Sequence, residues 1–310
     1  MPLDAMNIFI IGPTASGKSS LAVLLAKSLE CPIISADARQ CYRHMDIGTA
    51  KPSQEDQDQV PHFNISILDP SQKDDAAAFE QRVQHWQDQS PNKYWVISGG
   101  STLYVQSLLF PLDDIPKSDP SIQKEVELLI QNIGLQAAFD ELKKIDPVYA
   151  DKMDGLNIQR ITRALVVYKQ TGKTFSSFHK REEFDKPQNA LVFGILRDRM
   201  SLVERIEARV DLMIESGLIE EVQSLLNMGY SLSDYVMKSV GYEEVIKYLQ
   251  GELKYSDMIH QIKAHTRQYA KRQMTWFKRW PCVDWIHADE QSEDQILSYI
   301  LSKLEAVERQ

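Results

Sequence analysis

Four residues at fixed spacing constrain this chain more than any other feature. Gly12, Gly17, Lys18 and Ser19 lie in GPTASGKS, after the apolar run 8–11 and ahead of a helical pattern through Leu21, Leu24, Leu25 and Leu29. Strand, glycine-bearing turn and helix in that order build a phosphate-binding loop. The glycines let successive backbone N–H groups converge, and the helix adds its positive end. Gly12, Pro13, Thr14, Ala15, Ser16, Gly17, Lys18 and Ser19 are therefore predicted to surround a phosphate group. Lys18 supplies a point charge, and the Ser19 hydroxyl is the expected ligand for Mg²⁺.

An apolar content of 43% over 310 residues is enough for one large domain or two smaller ones. No apolar run approaches the ~18 residues of a membrane span, and the start lacks a basic segment followed by an apolar signal core. A cytoplasmic protein with no membrane partner is the expectation. Cys31, Cys41 and Cys282 are too few and too irregular for a disulfide framework or a zinc site. The net charge of −9 argues against a nucleic-acid partner until its distribution is considered. Residues 260–283 hold Lys263, Arg267, Lys271, Arg272, Lys278 and Arg279 and no acid.

Along the chain, residues 32–35 read as a second short strand, ending at Asp37. An acid just past the carboxyl end of a parallel strand faces the crevice where such sheets bind ligands. Asp37 is either a Mg²⁺-holding acid of the kind P-loop ATPases use or a general base. The run 39–52 is a long polar loop, and long loops beside a site tend to be functional. Residues 62–68 are a candidate strand, 74–86 a helix, and 94–98 a third buried strand. That strand ends in Gly99, Gly100 and Ser101 where an ATPase has one place for a second metal-holding acid, which weakens a hydrolase reading.

Prolines and acids at 111–120 mark a boundary, after which strand patterns give way to helices over 122–130, 135–142 and 158–168. In the third of these, Gln159, Arg160 and Arg163 oppose Ile161, Leu165 and Val166, a face that is either solvated or anion-binding. Residues 190–196 return to a buried strand, and everything afterwards reads as helical: 200–215, 218–228, 240–249 and a long helix from 256 to about 280. In that helix Lys263, Arg267 and Lys271 recur every fourth residue among Tyr269, Trp276 and Phe277, which favours a polyanion such as RNA. The predicted fold class is α/β: a P-loop NTPase-like parallel sheet core flanked by helices (1–116 and 187–310), with an all-helical insertion domain (117–186).

SADARQCYRHMDIGTAKP at 35–52 resembles the signature that follows the phosphate loop in tRNA dimethylallyltransferases. GPTASGKS at 12–19, GGSTLY at 99–104, NIQRITRAL at 157–165, RIEARVDLMIESGLIEEV at 205–222, SVGYEE at 239–244 and TRQYAKRQMTWF at 266–277 follow in the family's order. Generic P-loop proteins share only the first of these. The resemblance implies transfer of a dimethylallyl group from dimethylallyl diphosphate to the exocyclic amine of an adenosine beside the anticodon of tRNA. The loop then holds a departing diphosphate, stabilised by Lys18, by Mg²⁺ on Ser19 and by an arginine such as Arg267. Asp37 is the implied base for the amine, and Ser101 an orienting hydroxyl where the family usually has Thr.

The adenine must leave its stack to react. The resemblance implies that Gln40 reads it or its neighbours, and that Asp37, Ala38, Arg39, Gln40 and Ser101 meet the RNA. In the insertion, Lys124 and residues Gln159, Arg160, Ile161, Thr162 and Arg163 are implied to grip the anticodon stem-loop, as are Gly241, Tyr242, Lys263 and Lys271 in the core. The chain departs from the family pattern at Ala38 for Ser, His44 and Thr102 for Gly, and Phe63 and Ser66 for His and Asp. Ala38 bears on RNA affinity or base selection more than on the reaction. Two other readings stay open: a small-molecule enzyme, either an isopentenyltransferase for free adenine nucleotides or a nucleoside-type kinase, and a non-catalytic RNA-binding P-loop protein. The insertion and the basic helix argue against the first, and Lys18, Ser19 and Asp37 against the second. A monomer with no obligate partner subunit is expected.

Overall fold

The structure is a computed structural model that describes residues 5–110, 113–179, 187 and 189–309. The chain folds as two compact units, Met1–Phe110 with Asp185–Gln310, and Pro111–Phe184. The expected boundary at Lys186 and the proline at 111 lie outside the described residues.

In the first half of the larger unit, β1 (Met6–Ile11) leads through the phosphate loop to α1 (Lys18–Ser28), β2 (Ile33–Ser35), α2 (Gln54–Gln59), β3 (His62–Phe63), α3 (Ala76–Gln89), β4 (Tyr94–Gly99) and α4 (Thr102–Leu109). Ile8, Phe9, Ile10 and Ile11 are fully buried, as a strand flanked on both faces by helices requires. The expected strand over 62–68 shrinks to two residues paired with β2, plus one isolated bridge from Tyr42 to Leu68. Asn64 and Ser66 adopt positive φ there (65° and 50°), which breaks the extended run.

The smaller unit contains α5 (Pro120–Ile133), α6 (Leu135–Ile145), α7 (Pro147–Ala150) and α8 (Ile158–Thr171), closed by a 3₁₀ turn at Phe175–Phe178. Asp119, Asp146 and Asn157 each accept backbone N–H groups at a helix start, which explains where these helices begin. Val126, Ile130, Ala138, Leu142, Ile161 and Leu165 meet in its own apolar core.

The larger unit resumes with β5 (Ala190–Leu196), α9 (Arg199–Glu215), α10 (Leu218–Asn227), a 3₁₀ turn at Tyr235–Lys238, α11 (Tyr242–Leu249) and α12 (Tyr255–Phe277), followed by β6 (Val283–His287) and α13 (Glu293–Glu308). β6 corrects the expectation that everything after β5 is helical. It is a five-residue edge strand, only half-buried and interrupted by Asp284, so its apolar signal is weak. Among the described residues six strands run in the order β3-β2-β4-β1-β5-β6, and every pair is parallel. Ile11 pairs with Gly99 and Ser35 with Ser98, so the carboxyl ends of β1, β2 and β4 are level. That alignment brings the phosphate loop, Asp37 and Ser101 to one edge of the sheet.

Candidate active site

Gly17 opens α1 with φ 100°, a left-handed conformation that a residue with Cβ adopts only under strain. Inside the loop the Ser16 hydroxyl is buried with no hydrogen-bond partner among the described residues. An orphaned donor there fits a site built for an anion. The Lys18 ammonium donates to the Pro13 carbonyl at 2.6 Å. Burial above all, then the charge of Arg209, lowers the Lys18 pKa to about 7, with Asp37 pulling the other way. Ser19 is exposed and opens onto a cavity of about 150 Å³ shared with Val23, Ile33, Gln40 and Ser98. Ser19 thus fits a Mg²⁺ ligand, and the remaining positions would be filled by oxygens of the bound anion and water. Among the described residues no cluster of three or more His, Cys, Asp or Glu could hold a metal by itself.

Three arginines from the segment around α9 close the loop, and sequence reasoning singles out none of them. Arg209 donates to the Thr14 hydroxyl at 3.0 Å, Arg205 to the Ala15 carbonyl at 2.8 Å and Arg197 to the Ser16 carbonyl at 2.9 Å. Arg197 is also paired with Asp289 at 2.6 Å. Arg209 and Arg205 form no ion pair among the described residues, which leaves their charge available to an anion. Burial, then Asp37 acting oppositely, then Arg205 bear on Arg209, whose pKa is lowered. The segment RIEARVDLM carries the signal through its place in the family pattern, but two arginines on an amphipathic helix look like a solvated face.

The ends of β2 and β4 are tied together. Ala36 donates to the Ser98 carbonyl at 2.8 Å, Ser101 donates its N–H to the Ala36 carbonyl at 3.1 Å, and the Ser101 hydroxyl accepts the Ala38 N–H at 2.8 Å. Asp37 therefore sits between two residues bound to the Ser101 turn. One of its oxygens accepts the Arg39 N–H at 2.9 Å. The Tyr269 phenol borders the same space. Its pKa is pushed up to about 12 by burial first and by Asp37 second, with Arg39 and the Ser101 hydroxyl opposing. Sequence reasoning gives Tyr269 only an apolar role. It misses Gln273 as well, whose amide accepts the Thr14 N–H at 2.9 Å and donates to the Gly100 carbonyl at 2.8 Å.

Several residues expected to meet RNA are engaged within the protein. The Gln40 amide is used within the protein, accepting from Ser35 at 2.7 Å and donating to the Thr49 and Ala50 carbonyls. It shapes the loop that follows Asp37. Tyr242 is fully buried; its hydroxyl donates to Glu221 and its ring lies against Gly48, where a Cβ would come within 2.5 Å. Gly241 is buried too, its N–H held by Glu244 at 2.7 Å. Ile161 is fully buried in the core of the insertion. Arg163 donates to the Pro116 carbonyl at 2.7 Å and to Ser118. Lys124, Gln159 and Arg160 are exposed, and Thr162 is half-buried.

The basic stripe of α12 is less free than its sequence suggests. Lys263 pairs with Asp211 at 2.7 Å and Arg267 with Glu207 at 2.6 Å, so acids on α9 answer the bases turn for turn. Arg267 is engaged with Glu207, and Arg209 touches the phosphate loop at Thr14. Lys271, Arg272, Lys278 and Arg279 remain exposed, with Arg279 over the Trp276 ring at 5.1 Å.

Residues 40–280 match the family model described as IPP transferase. The chain is 41% identical over 300 residues to a tRNA dimethylallyltransferase of Carboxydothermus hydrogenoformans, covering 96% of each protein. It is 39% identical over 301 residues to the tRNA dimethylallyltransferase of Alkaliphilus metalliredigens, again 96% of each. Among solved structures, a tRNA delta(2)-isopentenylpyrophosphate transferase from Staphylococcus epidermidis superposes with a TM-score of 0.72 at 33% identity, covering 98% of this chain and 99% of that one. With the phosphate loop, the Asp37 turn and the helical insertion in one chain that matches these proteins over nearly its whole length, the protein belongs to the IPP transferase family.

Proposed function

We propose that the protein is a tRNA dimethylallyltransferase. It transfers a dimethylallyl group from dimethylallyl diphosphate to the exocyclic amine of the adenosine 3′-adjacent to the anticodon, and releases diphosphate. The observation that carries this reading is the place of Asp37: at the carboxyl edge of the sheet where β1, β2 and β4 end level, next to Ala38 on the Ser101 hydroxyl, with one oxygen held by the Arg39 N–H. β4 ends in Ser98 and Gly99 where an ATPase has one place for a second metal-holding acid, which weakens a kinase or ATPase reading and supports a base role for Asp37.

The allylic carbon–oxygen bond breaks as the carbon–nitrogen bond forms. Negative charge grows on the diphosphate, where the loop N–H groups, Lys18 and Arg209 stabilise it. Mg²⁺ held by Ser19 would add to that charge neutralisation when bound. The amine lone pair is delocalised into adenine, so its proton must leave during attack, and Asp37 accepts it. The Ser101 hydroxyl, which accepts the Ala38 N–H and lies against the Tyr269 phenol, can turn its proton to the acceptor or to a diphosphate oxygen. The exposed Lys124, Gln159 and Arg160 of the insertion and Lys271 of α12 are read as RNA contacts.

The test is Asp37→Ala in single-turnover transfer to an anticodon stem-loop. The rate should fall by about 10²-fold or more, the scale of a lost general base, while RNA affinity changes little. A near-normal rate would remove Asp37 from this role.

A further inference from the structure

Gln273, on α12, is 3% exposed, and both ends of its amide are committed. Oε1 accepts the N–H of Thr14 in the phosphate loop at 2.9 Å, and Nε2 donates to the carbonyl of Gly100 at 2.8 Å. Gly100 directly precedes Ser101, whose hydroxyl holds the Ala38 N–H next to Asp37. One side chain therefore spans from the loop that grips the leaving group to the turn that borders the base. Gly100 is matched to it, because a Cβ there would come within 2.2 Å of Nε2. A buried amide left without partners is costly, so the donor and acceptor ends leave Gln273 one orientation.

We propose that Gln273 is a positioning residue for the transfer step, fixing the register between the phosphate loop and the Ser101 turn. This rests on the reading above, in which those two segments serve one reaction. Gln273 occupies the Thr14 N–H, which is thereby withdrawn from the donors available to the anion. Its contribution is to alignment of the donor carbon with the acceptor amine more than to anion binding. A displacement of about 1 Å between reacting groups can cost on the order of 10²-fold in rate.

The experiment compares the wild type with Gln273→Met, which keeps the length and removes both hydrogen bonds. At saturating RNA and dimethylallyl diphosphate, the single-turnover rate should fall by about 10- to 100-fold. The donor KM and the RNA Kd should stay within about threefold, because no group facing either ligand is lost. In a Ser101→Ala background the same substitution should slow transfer much less than in the wild type, since the turn it aligns no longer carries its hydroxyl. Gln273→Glu keeps the acceptor for Thr14 but sets an oxygen against the Gly100 carbonyl; it carries the test if the Met variant fails to fold, as judged by circular dichroism and melting. An unchanged rate, a loss confined to donor KM, or equal losses in both backgrounds would overturn the positioning role. A wild-type protein that transfers nothing would refute the functional reading and this inference together.

Discussion

The Lys18 ammonium rests on the Pro13 carbonyl at 2.6 Å, with Arg209 near enough to repel it. The cation assigned here to the leaving group is thus held by a neutral acceptor inside its own loop. Burial and Arg209 bring its pKa to about 7, so near neutral pH part of the free protein has an uncharged Lys18.

Diphosphate bound beside Lys18 would stabilise the ammonium and raise that pKa, so its binding is predicted to take up a proton when the pH is at or above about 7. Affinity for inorganic diphosphate should therefore weaken as pH rises from about 7 to 9, beyond any contribution from the ligand's own titration. In Lys18→Arg, whose side chain stays charged, that extra pH dependence should vanish. Calorimetry in two buffers of different ionisation enthalpy measures the uptake directly; equal uptake by both proteins would contradict the account.

Arg209 touches the loop through Thr14 and faces Asp37 and Lys18. Arg209→Ala should lower the single-turnover rate by about 10²- to 10³-fold, as removal of a donor aimed at developing charge does. Arg267→Ala, which loses an ion pair with Glu207, should change the same rate by far less. A quench-flow comparison of the two variants checks the assignment, and the reverse ranking would restore Arg267 to the leaving group.

Glu221 holds the loop that follows Asp37. It accepts the N–H groups of Asp46, Ile47 and Gly48 at 2.8, 2.7 and 3.1 Å, and the Tyr242 hydroxyl at 2.7 Å. Glu221→Ala should destabilise the protein by about 3 kcal/mol or more in urea unfolding, since hydrogen bonds to a charged group contribute about 1.5–3 kcal/mol each and are not additive. Tyr242→Phe should cost about 1 kcal/mol and leave RNA affinity unchanged, as expected of a buried tyrosine.

On α12, Lys271 is exposed while Lys263 is paired with Asp211. If Lys271 meets a phosphate, Lys271→Ala should reduce the slope of log K against log salt for RNA binding by about 0.7–0.9. Lys263→Ala should change it less. Filter binding across a salt series separates the two, and an unchanged slope for Lys271→Ala would leave the stripe merely solvated.

The parts legible in the sequence are those written in contiguous residues. The phosphate loop, the strand ending at Asp37, the Ser101 turn and the helical insertion each announce themselves through glycines, strand runs or helical periodicity. What escapes depends on partners distant in the chain. Lys263 and Arg267 look unopposed until α9 brings Asp211 and Glu207 beside them. Gln40 and Tyr242 look available to RNA until Thr49, Ala50 and Glu221 claim their polar atoms. Gln273 reaches Thr14 across 259 positions, and no local pattern encodes that. β6 escapes for a different reason: a short, half-buried edge strand carries little apolar signal.

The most direct test of the central claim is mass analysis of an anticodon stem-loop RNA with adenosine 3′ of the anticodon, after incubation with the protein, Mg²⁺ and dimethylallyl diphosphate. The account predicts the gain of one dimethylallyl group on that adenosine, with one diphosphate released per group transferred. Prenylation of AMP or ADP with none on the RNA, or turnover of ATP with no prenyl transfer, would contradict it.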